Sequence, residues 1–170
     1  MDDVRRQDSP PKRRKPIRKL VRVLSARPLK VICLSLKIWG FWSHWTGTKS
    51  IPCTSERGTC PGHLSGWPLR WKGILHVLAP DAKKGFFIEL TPRAADMLGE
   101  QVDNMSTLRG LHLTIERSQG GKNGRLSVFV TGKLPDCNNL PAAEDPYETL
   151  RVLWGWQETW LDEGRDHRLA

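Results

Sequence analysis

The chain has 170 residues, a length that favours one domain with tails. Its 27 Lys and Arg residues outnumber its 18 Asp and Glu residues, and the formal net charge of +9 favours an anionic partner, usually nucleic acid. No apolar run approaches the roughly 18 residues of a membrane span, and no signal-peptide pattern follows the basic start. We therefore expect a cytoplasmic protein without a membrane partner, nucleoid-associated if it is bacterial or from a phage. In that reducing compartment the four cysteines favour metal binding or burial over disulfides.

The charge is divided unevenly along the chain. Residues 1–37 carry 12 basic and 3 acidic side chains, whereas residues 142–170 carry 3 basic and 7 acidic ones. Residues 1–19 are rich in Pro and poor in apolar side chains, so they are predicted to be a disordered basic arm. A run of four basic residues in this arm is predicted to contact phosphate groups: Lys12, Arg13, Arg14 and Lys15.

Hydrophobic periodicity predicts the elements of residues 20–141. Alternating apolar and polar residues predict five strands, at 31–42, 71–78, 86–90, 108–117 and 126–131. Thr91 followed by Pro92 is typical of a helix start, so one helix is predicted between strands 3 and 4. This order is that of an OB-fold, and the predicted fold is a mainly β, OB-fold-like five-stranded barrel. Other small α+β sheets share the order, and no local pattern encodes closure of the sheet.

Residues 43–66 lose all periodicity and collect potential metal ligands. The ligands are His44, Cys53, Cys60 and His63, in the spacing H-x8-C-x6-C-x2-H. Two thiolates and two neutral imidazoles suit tetrahedral zinc, and the turn at 60–63 can present two ligands, with Gly62 free to adopt a positive φ. The sequence therefore predicts an inserted zinc loop with a closed structural site, which leaves no position for catalysis. His44 is the least certain ligand, since His76 or Cys33 could replace it.

Residues 142–170 form an acidic segment that is rich in Trp. Asp145 and Pro146 are typical of a helix start, so a C-terminal helix is predicted. Three aromatic side chains are predicted to bind a protein partner: Trp154, Trp156 and Trp160. The open alternative is that this helix covers one end of the barrel and belongs to the core.

The metal ligands and the acidic tail together carry a resemblance to a known family. A His, a spaced Cys and a Cys-x2-ligand turn, inserted early in an OB-like domain, resemble the zinc-containing single-stranded-DNA-binding proteins of T-even phages. The matching positions are His44, Cys53, Cys60 and His63, with the acidic segment from Glu144 onward. The spacings here are shorter, and His63 stands where that family has Cys. The resemblance implies a zinc subdomain that stiffens a DNA-binding domain and a tail that recruits replication partners.

Basic and aromatic side chains of the body are predicted to form the nucleic-acid surface, because backbone charge and base stacking bind single strands together. The basic candidates are Arg70, Lys72, Arg109, Arg117 and Arg125, and the aromatic candidates are Trp67, Trp71, Phe87 and Phe129. Alternation points Phe87 and Phe129 away from the core face of their strands. Core packing is the open alternative for each aromatic ring, and a solvated charge is the alternative for each basic residue.

The sequence predicts a non-enzymatic protein, since no catalytic constellation or phosphate-binding loop has a recognisable signature. The predicted function is binding of single-stranded nucleic acid with weak sequence preference, in replication, recombination or repair; no small-molecule substrate is expected. DNA is favoured over RNA by the resemblance alone. The alternative function is that of a zinc-stabilised adaptor whose Trp-rich helix docks a protein.

Overall fold

The structure is a computed structural model that describes most of the chain between residues 19 and 154. The described residues are 19–25, 27–54, 58–103, 105–118 and 124–154. The predicted basic arm, except for Lys19, lies outside these residues, and so does the run from Lys12 to Lys15. Trp156 and Trp160 lie outside them as well.

The described residues form a mixed sheet of eight strands. The strands are β1 (Leu20–Val21), β2 (Leu29–Cys33), β3 (Trp39–Trp45), β4 (Ser50–Pro52), β5 (Leu69–Leu78), β6 (Phe86–Leu90), β7 (Leu111–Arg117) and β8 (Leu126–Lys133). The order is β1-β6-β5-β2-β7-β8, with β3 paired to β5 and β4 paired to β3. Only β1 and β6 pair in parallel among these strands. The helices are α1 (Pro61–Leu64), α2 (Pro92–Gln101) and α3 (Tyr147–Trp154).

The sheet is open, so the predicted closed barrel of five strands is not what forms, and the OB-fold is not confirmed. The two ends of the strand order are β1 and β8, and β1 has only two residues. The segment after β1 and the segment before β8 are joined through the side chain of Arg117. Its Nε donates to the carbonyl of Val23 (2.9 Å), and its Nη1 donates to that of Gly124 (2.7 Å). The mainly β character of the prediction is confirmed.

Residues 43–66 are not one irregular loop. The last three residues of β3, all of β4 and the short helix α1 fall within this segment. β3 pairs along β5 from Trp39 opposite Ile74 to His44 opposite Leu69. Aromatic residues in the run WGFWSHW suit a pleated surface, but Gly40 and the polar residues mask the alternation that marks a strand. Pairing with the long strand β5 supplies the stabilisation that this local pattern lacks.

The main core lies between the sheet and α2. Its buried side chains come from several strands and from the helix, and include Val31, Leu75, Ile88, Leu98 and Leu113. The helix starts as the sequence predicts, because the Thr91 side chain accepts a hydrogen bond from the Ala94 amide (3.3 Å). Ala94, Ala95 and Leu98 of this helix are buried. Strands β7 and β8, both predicted, pair antiparallel.

A second core covers the opposite face of the sheet. Phe41, Ile74, Phe87 and Leu150 are buried there, with Tyr147 packed against them. The prediction that Phe87 points away from the core is wrong, since only 1% of it is exposed. The alternation correctly predicts that Phe87 points to the face opposite the main core, but α3 covers this face. Phe129 on β8 has no such cover and is 41% exposed, as predicted.

The start of the C-terminal helix therefore belongs to the packed structure. Asp145 accepts a hydrogen bond from the Tyr147 amide (2.7 Å), and Leu150 is fully buried. This supports the alternative in which the helix is part of the core, at least over its first turns. No helix among the described residues has both the length and the apolar character needed to cross a bilayer.

Candidate functional site

Four side chains from three adjacent elements meet in one cluster. His44 is on β3, Cys53 follows β4, and Cys60 and His63 lie at the start and within the turn of α1. Their ligand atoms all lie within 4.8 Å of one another. The hairpin of β3 and β4 positions His44 and Cys53. Its tight turn at Gly47 (φ 97°) brings the end of β4 back beside β3. The Cys53 amide then donates to the Trp42 carbonyl (2.9 Å). These four residues could hold a metal ion.

His44 is oriented by a backbone carbonyl. Its Nδ1 lies 3.0 Å from the Trp67 carbonyl oxygen, which can only accept, so Nδ1 carries the proton. The lone pair is then on Nε2, which lies 3.5 Å from the Cys60 sulfur. Metal-binding histidines commonly donate their second nitrogen to a carbonyl in this way, because the contact fixes the tautomer and the ring. His44 is fully buried and in the form that binds a metal.

Cys60 is stabilised as a thiolate. Burial raises the pKa of its thiol, but the polar groups around the sulfur, which are the backbone of His63, Thr54 and Gly62 and the Thr54 hydroxyl, outweigh this effect. The pKa falls from 9.0 to about 6. A thiolate is the form that binds metal ions. The turn of α1 thus both places the sulfur and favours its charged state.

Gly62 is required for a different reason from the one predicted. It does not adopt a positive φ, whereas Gly66 does, just after α1 (φ 66°). A Cβ atom on Gly62 would collide with the imidazole ring of His44. Gly62 therefore lets α1 pack directly on β3, and this close contact brings the His63 ring to 4.6 Å from the His44 ring.

The donor set fits a tetrahedral metal ion. Bonds of about 2.0–2.3 Å to nitrogen and sulfur imply ligand-to-ligand distances of about 3.3–3.8 Å, and the 3.5 Å between His44 Nε2 and Cys60 Sγ falls within this range. His63 Nδ1 is buried and has no hydrogen-bond partner among the described residues. Burying an imidazole nitrogen in this state is costly unless something coordinates it.

The alternatives for the fourth ligand lie elsewhere. Cys33 is part of the main core. His76 is buried beside Phe87, and its Nδ1 accepts a hydrogen bond from the Glu144 amide (3.0 Å). The clustering of ligand atoms favours His44. Cys33 and Cys137 are free thiols, the first buried and the second partly exposed.

An apolar cleft begins two residues before His44 on the same strand. Its volume is about 670 Å³, and Trp42, Leu69, Trp71, Leu90 and Pro92 supply its apolar wall. We call these five residues the aromatic cleft. Trp42 and Trp71 are direct partners across β3 and β5. Trp42 is 40% exposed and Leu69 is 45% exposed, so this surface is open to solvent.

A basic groove of about 510 Å³ adjoins the aromatic cleft. Four arginines line it, Arg22, Arg70, Arg117 and Arg125, which we call the arginine groove. Glu89 is the acidic residue among its described lining residues, and Arg70, Glu89 and Thr91 line both the groove and the cleft. Burial lowers the pKa of Arg117, the nearby charge of Arg22 lowers it further, and Glu89 raises it. Like charges held this close favour an anionic ligand.

The structure brings together only some of the predicted binding residues. Arg70, Trp71, Lys72, Arg117 and Arg125 line the cleft or the groove. The Lys72 ammonium is paired with the Glu89 carboxylate at 3.0 Å. Phe87 is buried, and Phe129 lines neither cavity.

Two further predicted residues have structural roles. The backbone of Trp67 serves the metal cluster, since its carbonyl accepts from His44 and its amide donates to Gly62 (2.9 Å). Arg109 donates to the carbonyls of Leu34, Pro141 and Leu140 (3.2, 2.9 and 2.9 Å). Its guanidinium holds the strap of chain at residues 137–141, and Arg109 lines neither the aromatic cleft nor the arginine groove.

Sequence reasoning missed Trp42 and Arg22. Trp42 was placed at the end of a strand, and only its register opposite Trp71 shows that the two rings share a face. Arg22 is an isolated arginine after a two-residue strand, and no local signal distinguishes it from a solvated charge. No protein-family model, curated protein or solved structure matches this chain.

Proposed function

We propose that this protein binds single-stranded nucleic acid along the arginine groove and the aromatic cleft, and that a structural zinc ion at the cluster holds the adjoining strands. The observation that carries the proposal is the adjacency of the two cavities, which share Arg70, Glu89 and Thr91. Positive charge binds the backbone of a single strand, and aromatic rings bind its bases without reading sequence. A duplex hides its base faces by stacking, so open tryptophan rings favour an unpaired strand.

Charge complementarity supports an anionic polymer as the ligand. The chain carries a net +9, and the arginine groove concentrates four cations beside one glutamate in the described surface. Release of counterions from each neutralised phosphate makes such binding strongly dependent on salt. DNA remains the proposed polymer, and RNA is the competitor that the binding assay includes.

Zinc is the proposed ion because the donor set consists of two sulfurs and two imidazoles. Two thiolates balance its charge, and all four positions of a tetrahedron are filled by the protein, as in structural sites. Elemental analysis of the purified protein should find about one zinc per chain. Stoichiometric iron, or no metal together with melting that a chelator leaves unchanged, would contradict this assignment.

The decisive experiment measures fluorescence anisotropy of labelled single-stranded DNA, duplex DNA and RNA of equal length at about 50 and 200 mM salt. We expect single-stranded DNA to bind most tightly. The double variant Arg70→Ala/Arg125→Ala should bind more weakly and reduce the slope of log K against log salt by about 1.4, since each charge contributes about 0.7. Both side chains are exposed, so the fold should be unaffected.

Lys83→Ala/Lys84→Ala is the matched control, because it removes the same charge from exposed positions outside both cavities. Its slope and affinity should stay close to those of the parent. An equal loss in the two double variants would mean that overall charge acts, and that the arginine groove is not the site.

A protein-docking function is the second candidate. On α3, Val152 is 52% exposed and Leu153 is 49% exposed, next to the Trp-rich segment for which the sequence predicts a partner. If the wild-type protein binds none of the three nucleic acids, the binding proposal fails and this candidate takes its place.

A further inference from the structure

Two glycines form the floor of the aromatic cleft beneath Trp71. In β3 and β5, Gly40 and Gly73 are register partners. A Cβ atom on Gly40 would lie 2.9 Å from Nε1 of the Trp71 indole, and one on Gly73 would lie 2.8 Å from its Cη2 atom. A larger residue at Gly40 would therefore crowd the ring, and one at Gly73 would crowd both the ring and Ile38. The paired glycines therefore let the indole of Trp71 lie down on the backbone of two strands, where it is held in one orientation.

The wall of the cleft is apolar and open. Trp42 stands directly across from Trp71, and Leu69 lies two residues before it on the same strand. All three are on the surface or partly exposed, although large apolar side chains this close together are usually covered. The volume of about 670 Å³ is typical of a small-molecule site, for which the range is about 300–1,000 Å³.

The polar groups at the rim suit a heteroaromatic ring that carries a phosphate. Thr91 and Asp96 line the cleft and can exchange hydrogen bonds with the edge of a base. Arg70 lies at the boundary with the arginine groove, where it can meet the phosphate attached to that base. A purely apolar ligand would leave these groups unused.

We infer that the aromatic cleft is a subsite for one unpaired nucleobase, which stacks against Trp71 and is bordered by Trp42, at one end of a strand that follows the arginine groove. This inference rests on the proposed function and adds the position at which a base is held. Stacking of one base on an aromatic side chain is worth about 5- to 150-fold in affinity.

The test compares a short oligothymidylate with an abasic oligonucleotide of the same length and charge. Wild-type protein should bind the base-bearing strand about 5- to 150-fold more tightly, since the phosphate contacts are the same in both. Trp42→Leu should weaken this preference, because it removes the ring that borders the base, and should leave the affinity for the abasic strand unchanged. Trp71→Phe keeps an aromatic ring on the glycine floor, so it should lose less of the preference.

Phe129→Leu is the matched control, because Phe129 is 41% exposed against 40% for Trp42 and lines neither cavity. It should keep the full preference. Circular dichroism and metal content show whether each variant is folded. If Trp42→Leu does not fold, Trp71→Phe remains as the test.

The outcomes separate the two proposals. If wild type binds both strands equally, the base subsite is wrong, and of the proposed function the binding of the strand's backbone along the arginine groove survives. If Trp42→Leu and Trp71→Phe are folded and keep the full preference, the base is held elsewhere. If wild type binds neither strand, both proposals fail, and an apolar peptide segment becomes the candidate occupant of the cleft.

Discussion

The main core and the metal cluster each leave a cysteine without exposed surface, but Cys33 lies deep in the core whereas Cys60 lies close to the surface, and their pKa values shift in opposite directions. Cys33 and Cys60 each have 0% of their surface exposed. Burial raises the pKa of the Cys33 thiol to about 12, and the positive charge of Arg109 offsets only part of this effect. At Cys60 burial acts in the same direction, yet polar groups of the surrounding turns bring the pKa down to about 6. Burial alone therefore does not decide whether a thiol is a core side chain or a ligand.

The difference lies in what each region offers besides apolar contacts. Around Cys33, the Ser35 backbone makes one hydrogen bond with the sulfur (3.6 Å), and this contact together with the charge of Arg109 offsets only part of the effect of burial on the pKa. Around Cys60, the start of α1 has backbone amides without partners in the helix, which is where donors to a thiolate are expected. Four predictions test this comparison through variants in the two regions.

The largest effect is expected for Cys60→Ala, compared with Cys33→Ala. Cys60→Ala should abolish stoichiometric metal and lower the free energy of unfolding by about 4 kcal/mol when free metal exceeds Kd about 1,000-fold. For a chain of this size that corresponds to a fall in Tm of roughly 8–16 °C. Cys33→Ala should cost about 1 kcal/mol and keep the metal. Calorimetry with elemental analysis measures both, and metal loss in Cys33→Ala would contradict the assignment of the two thiols.

A smaller effect is expected for Gly62→Ala. The added methyl group meets the His44 ring, and overpacking of this kind costs about 1–3 kcal/mol and should weaken metal affinity. Gly58→Ala is the control in the same segment, because no atom of the described residues lies within 4 Å of the Cβ that it adds. Chelator competition gives the two affinities. Equal affinities would show that contact between α1 and β3 does not shape the cluster.

The chemical reactivity of the two thiols should differ by region at neutral pH. Cys60 should resist alkylation while the metal is bound and react quickly once a chelator has removed it, because its thiolate is then exposed to reagent on local opening. Cys33 should react only when the main core unfolds. Mass spectrometry of peptides after timed alkylation measures both. Rapid modification of Cys33 in the folded protein would contradict its place in the core.

The smallest effect is a pH dependence confined to Cys33. Its pKa is higher in the folded state than the ordinary value of 9.0, so the folded state favours the neutral thiol. The resulting stability is fully present below pH 9 and is lost as the pH rises toward 12. Urea titrations at about pH 8 and about pH 10.5 should therefore show a larger loss for wild type than for Cys33→Ala. Identical losses would mean that the thiol does not ionise on unfolding.

The sequence was sufficient to predict those elements and ligands whose signals lie close together in the chain. Thr91 and Pro92 predicted the start of α2, and the alternation of β7 and β8 predicted which side chains are buried. The four metal ligands were predictable because they fall close together in residues 44–63. Gly62 could also be singled out, although its reason, contact with a ring on another element, required the structure.

The rest depends on distant parts of the chain. Phe87 and Phe129 show the same alternation, and only the return of residues 147–150 to one face buries Phe87 and leaves Phe129 exposed. The aromatic cleft needs the register of β3 on β5, which places Trp42 opposite Trp71. The sequence gives no sign that Arg109 is bound to other parts of the chain, because its hydrogen-bond acceptors lie 28 or more residues away. Pairing and docking between distant segments leave no trace in a local pattern.

The strap held by Arg109 has a consequence for the order of folding. Residues 137–141 make no strand, and one guanidinium supplies donors to carbonyls there and at Leu34. These contacts join segments far apart in sequence, so the loop between them must close before they can form. We expect the main core to assemble first and α3 to dock last. Amide hydrogen exchange should then be faster in residues 134–150 than in β7. A lysine at position 109 could not substitute, because a point charge cannot reach several carbonyls at once.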